Sequence, residues 1–88
     1  MMQTTLKLIN RQGLHARPAA QLVQTAAKFS SKVILAGNNK TADAKSVLSV
    51  MTMGLLGGME ITLTAEGEDE AACIAALTEL IESQFGEA

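Results

Sequence analysis

The chain has no tryptophan and no tyrosine, and of its 88 residues only Phe29 and Phe85 are aromatic. Its core must therefore be assembled from Leu, Ile, Val, Met and Ala. A single cysteine, Cys73, excludes an internal disulfide and a cysteine-based metal site, which fits a reducing compartment. Positive charge is scarce as well. Seven Lys and Arg against nine Asp and Glu leave a net charge of −2, the wrong sign for a protein that grips a phosphate backbone, so nucleic acid is excluded as a partner. No apolar run approaches the ~20 residues of a membrane span. The opening MMQTTLKLIN lacks the uncharged apolar stretch of a signal peptide. The expectation is a soluble cytoplasmic protein, monomeric, not inserted in a membrane, with no cofactor and no bound metal.

What remains is enough for one domain over residues 1–88, 48% of them apolar. A domain this small buries only a little over ~60% of its unfolded surface, so its stability is modest. Residues 3–9 alternate, with Leu6 and Leu8 to one side and Thr5, Lys7 and Ile9 to the other, as in a half-buried strand. Asn10 to Gly13 break it. The spacing of Ala19, Leu22, Val23 and Ala26 predicts a helix over 16–29, with Pro18 near its start and Ser30 and Ser31 beyond its end. Val33 to Ala36 form a short strand. Gly37, Asn38 and Asn39 supply a turn, and Lys40 to Asp43 return as the second arm of a hairpin.

Ser46 to Met53 reads as a short helix capped by Ser46 and ended by Gly54, with a further break at Gly57 and Gly58. From Glu60 to Glu66 alternation is clean, with Ile61, Leu63 and Ala65 facing in. A last helix follows over about 70–84, its apolar stripe made by Cys73, Ala76, Leu77, Leu80 and Ile81. Glu68, Asp69 and Glu70 suit the positive end of that helix. The order β-α-β-β-α-β-α, with short turns and one-sided helices, predicts an α+β fold: an antiparallel sheet with helices stacked on one face.

The only histidine stands in Gly13-Leu14-His15-Ala16-Arg17-Pro18, at the start of the first helix. A helix N-terminus presents unpaired N–H groups and about half a positive charge, which attract phosphate. The same positive end disfavours an imidazolium, and a neutral imidazole is a nucleophile where its cation is not. Arg17 offers a planar, permanently charged fork for phosphate oxygens. Gly13 gives the backbone freedom to present the ring. These residues suit attack by a histidine nitrogen on phosphorus, with the product cradled by Arg17 and the N–H groups of the first turn. In phosphoryl transfer most of the catalysis is positioning and charge stabilisation. A chain this small supplies half of that, and its donor and acceptor proteins supply the rest. The plainer alternatives are a histidine that merely starts a helix and an arginine that is a solvated surface charge.

Residues 13–20, GLHARPAA, closely resemble the phosphohistidine signature of the HPr family, the histidine-containing phosphocarriers of the bacterial sugar phosphotransferase system. The resemblance continues through residues 45–58, which look like the family's regulatory-serine segment, and through 61–70, so it covers essentially the whole chain. It implies an open-faced β-sandwich of four antiparallel strands with three helices on one face. It implies a stoichiometric carrier rather than an enzyme. His15 would take the phosphoryl group on Nδ1, with Arg17 and the Ala16 amide holding the phosphate. Phosphoenolpyruvate would be the ultimate donor, through enzyme I, and sugar-specific IIA domains the acceptors.

Ser46 would be the target of an HPr kinase/phosphorylase in lineages that have one, and a catabolite-control regulator would read the product. A phosphate at a helix start need not unfold anything; the alternative is that Ser46 only caps its helix. Ala20, Val47, Leu48 and Met51 would form the docking face beside His15, although Val47, Leu48 and Met51 can also be core. Val50 and Met53 suit the core better. Ala27 and Ser49 depart from some relatives and bear on partner preference. Three other readings stand beside the sugar-system carrier. One is the nitrogen-system paralogue. Another is a module regulated through Ser46 alone, which the presence of His15 and Arg17 disfavours. The last is an unrelated small ferredoxin-like domain.

Overall fold

Alternation from Glu60 to Glu66 produces the strand at the heart of the sheet. The computed structural model describes residues 1–86. Its elements are β1 (Met2–Lys7), α1 (Ala16–Ala27), β2 (Lys32–Gly37), β3 (Lys40–Asp43), α2 (Val47–Met51), β4 (Glu60–Glu66) and α3 (Glu70–Glu82), followed by a single 3₁₀ turn over Gln84–Gly86. The four strands lie in the order β1-β4-β2-β3, every neighbouring pair antiparallel. The last strand in sequence thus enters between the first two. The three helices cover one face. Among the described residues no helix is long and apolar enough to cross a membrane.

Register explains which side chains meet. Leu6 pairs with Ile61, and Leu35 with Leu63. Val33 pairs with Ala65. These residues face the helices, and all but the half-buried Leu6 are buried. The alternate positions form the open face, where the Thr5 and Thr62 hydroxyls lie 3.1 Å apart. From the helix side come Leu22, Val50, Met53 and Leu77, all essentially inaccessible. Each large aliphatic side chain so buried stabilises the fold by roughly 1.5–3 kcal/mol. The hairpin turn places Asn38 and Asn39 at φ of 52° and 61°, the left-handed pair that a two-residue connection needs and that asparagine tolerates.

Several boundaries differ from those the sequence predicts. β1 starts at Met2 and ends at Lys7, so Leu8 and Ile9 lie past it, Leu8 buried and Ile9 exposed. α1 stops at Ala27. α2 stops at Met51 with Thr52 as its C-cap, so Gly54, at φ +69°, turns the chain after the helix instead of ending it. α3 stops at Glu82, and its buried stripe is Cys73, Ile74, Leu77 and Ile81. Ala76 and Leu80 are only half-buried. Turning Ile74 inward hides more apolar surface than turning Ala76 inward would.

The acidic residues before α3 also divide their work. Asp69 makes no capping hydrogen bond to its own helix. Its carboxylate instead accepts from the Ser30 and Ser31 amides, at 2.8 and 3.0 Å, and from both serine hydroxyls. The Ser31 hydroxyl and the Ser30 amide chiefly hold its pKa down to about 2. Glu70 does serve the helix entry. It pairs with the N-terminal ammonium at 3.0 Å and accepts from the Gly67 amide at 3.1 Å, and these contacts, the ammonium first, lower its pKa.

Candidate functional site

The loop before α1 is shaped by Asn10 and Gly13. The Asn10 side-chain amide donates to the Gly13 carbonyl at 2.7 Å, and the Gly13 amide donates back to the Asn10 carbonyl at 3.2 Å. Gly13 sits at φ +65°, and a Cβ there would run into the backbone of Leu55 and Leu56. Only glycine satisfies both demands. The next amide, Leu14, donates to the Leu55 carbonyl at 3.0 Å. The loop is thereby fastened to the segment that follows α2, and Leu14 is buried beneath it.

This fastening delivers His15 to the N-cap of α1 in an extended conformation, φ −77° and ψ −171°. Its carbonyl accepts the Ala19 amide at 2.9 Å, the first bond of the helix. Its side chain makes no capping bond to that helix and is half-buried. The ring is thus not sealed in the core. The first N–H groups of an α-helix have no partner within the helix. Pro18 has no N–H at all, so the amides of Ala16 and Arg17 are the donors at this positive end. Both residues are exposed, whereas Pro18 and Ala19 behind them are buried. An imidazole, two backbone amides and an exposed arginine therefore belong to one accessible helix start.

The remaining expected residues lie on two helices that pack together, α1 and α2. Ala20 is half-buried on α1, one turn beyond Ala16. Val47, Leu48 and Met51 are exposed by 37, 75 and 42%, so they are surface rather than core, while Val50 and Met53 are buried. Ser46 is the N-cap of α2. Its hydroxyl oxygen accepts from the Ser49 amide at 3.3 Å and donates to the Ser49 hydroxyl at 3.0 Å.

Sequence reasoning missed two participants. Leu56 is 58% exposed while its backbone lies against Gly13, so an apolar side chain stands beside the His15 loop. Gly57 would place a Cβ 2.5 Å from the Asn10 and Arg11 carbonyl oxygens, so it too admits the close approach of the two loops. No spacing rule signals either residue, because each acts through a contact between segments over forty residues apart. Among the described residues no cluster of His, Cys, Asp and Glu is placed to hold a metal ion.

Comparison with known proteins agrees with this arrangement. Residues 2–83 match the family described as PTS HPr component phosphorylation site. The phosphocarrier protein HPr of Treponema pallidum is 41% identical over 87 residues, 99% of each chain. The crystal structure of an HPr from Thermoanaerobacter tengcongensis superposes with a TM-score of 0.96 at 49% identity, covering 100% of this chain and 99% of that one. That of an HPr from Bacillus anthracis gives 0.86 at 34%, covering 91% and 95%. With the histidine at the helix start, the sheet order and a match along nearly its whole length in agreement, the chain belongs to the HPr family, phosphocarriers that pass a phosphoryl group between components of the bacterial phosphotransferase system.

Proposed function

We propose that His15 is the phosphoryl acceptor of this carrier and that Nδ1 is the attacking atom. Enzyme I is the donor and the IIA domains of sugar permeases are the acceptors. The Nδ1 lone pair forms the new N–P bond as the donor's own bond to phosphorus breaks, and the reverse exchange loads the next protein. In this reading the Ala16 and Arg17 amides at the positive end of α1, with the Arg17 guanidinium, stabilise the charge on the transferred oxygens. The observation that carries this reading is the accessible N-cap position of His15, held by the Leu14–Leu55 hydrogen bond. Val47, Leu48 and Met51, with Ala20, form the docking face, which an exposed apolar cluster on one short helix supports. Incubation with enzyme I and labelled phosphoenolpyruvate should give an adduct that is lost in acid and kept in base, as a phosphoramidate is. A base-labile, acid-stable adduct would contradict it.

Ser46 is the second phosphorylation site in this reading, the target of an HPr kinase/phosphorylase, with a catabolite-control regulator as reader. Its position before α2, where added negative charge meets the positive end of the helix, supports this. The phosphate adds about −1.5 to −2 charges, which repel acidic partner surfaces and attract an arginine-bearing one. Incubation with ATP and such a kinase tests it: label on the wild type and none on Ser46→Ala.

A further inference from the structure

α2 has five residues and buries one side chain, Val50. A helix this short is not stable alone, so its position depends on its packing against α1 through few side chains and on what its ends are tied to. At the N-terminal end the Ser46 side chain caps it, and the preceding Lys45 reaches the Phe29 carbonyl beyond α1 at 2.8 Å. At the other end the ties come from the β2–β3 hairpin. The Asn38 side-chain amide donates to the Met53 carbonyl at 2.9 Å, and the Lys40 ammonium reaches the Thr52 carbonyl at 3.4 Å. Met53 is buried, and two residues on, the Leu55 carbonyl holds the Leu14 amide next to His15. One side chain at the hairpin tip thus anchors the segment that leaves α2 and reaches the histidine loop.

We propose that Asn38 is a positioning residue for phosphoryl transfer: through the Met53 carbonyl it fixes the pose of α2 against the His15 loop, and so the shape of the face that partners meet. This rests on the docking role of α2 given above. Asn38 does not touch the phosphoryl group. Its left-handed backbone, φ 52°, makes two clean substitutions available. Asn38→Gly keeps that conformation without strain and removes the amide. Asn38→Asp keeps the shape and cannot donate to a carbonyl.

The test is steady-state phosphorylation of each variant by enzyme I at a temperature where all are folded. A loss of encounter geometry raises KM, whereas a change at the reacting atoms lowers kcat. Both variants should raise KM by about three- to tenfold, with kcat within about twofold of wild type. Amide exchange at Thr52, which donates to the Leu48 carbonyl at the end of α2, should quicken while exchange in β4 does not. An unchanged KM in Asn38→Gly overturns the proposal, as does a rise confined to Asn38→Asp, which would reflect its added charge alone. Leu48→Asp, run in parallel, reads the docking face separately. If it raises KM and Asn38→Gly does not, the face stands and the role of Asn38 falls.

Discussion

The Leu14 amide and the Leu55 carbonyl lie 3.0 Å apart, and this bond ties the histidine loop to the segment leaving the exposed helix α2. Gly13 and Gly57 lie on either side of it, each where a Cβ would strike the backbone of the opposite loop. The site is therefore built by two loops fitted together rather than by α1 alone.

Gly57 is the place to test that fit. Its conformation is open to any residue, so only the close approach excludes a side chain. Gly57→Ala should force the loops apart and slow phosphorylation by enzyme I about tenfold or more, because small misplacements of a nucleophile are costly. Gly58→Ala, with nothing within 4 Å of its Cβ, should slow it much less despite its own left-handed backbone. Equal effects of the two changes would contradict the account.

Much of this was legible in the sequence. The β3 and β4 limits follow from the Asn38-Asn39 turn and from strict alternation, both local signals. The position of His15 and Arg17 at a helix start was legible because Pro18 and the apolar spacing that open α1 are local signals. The roles of Leu56, Gly57 and Asp69 were not, since each depends on a partner brought near only by folding. Asp69 has the composition of a helix cap but binds the Ser30–Ser31 corner, which offers it two amides and two hydroxyls. α2 ends at Met51, and its last turn is closed by the Thr52 hydroxyl on the Ser49 carbonyl, at 2.9 Å, a contact that the sequence does not signal.

The Asp69 clamp has a pH signature. Its folded pKa of about 2 lies below the ordinary 3.8, so the ionised form is favoured by folding. The stability it contributes is fully present above about pH 4 and is lost as pH falls toward 2. Asp69→Asn should be less stable at neutral pH and should show a shallower loss of stability across that acid range, followed by circular dichroism in urea. Parallel profiles for wild type and variant would contradict the assignment.

Cys73 is buried on α3, and that burial, reinforced by the nearby Asp69 charge, raises its thiol pKa. A thiol kept protonated and covered should be inert. Native protein at neutral pH should fail to react with a disulfide reagent that modifies one thiol per chain in denaturant. Rapid labelling of the native chain would show an open path to α3.

Arg17 carries the only permanent positive charge in the first turn of α1. Arg17→Glu should slow transfer from enzyme I by about a hundredfold or more, as loss of a charge-stabilising group does, with little change in thermal stability because the side chain is exposed. An unaltered rate would remove Arg17 from the site.

The most direct measurement compares wild type with His15→Ala in the enzyme I and phosphoenolpyruvate reaction, with circular dichroism confirming that the variant is folded. One acid-labile phosphoryl group per wild-type chain and none on the variant is the expected result. Acid-labile label on folded His15→Ala would contradict it.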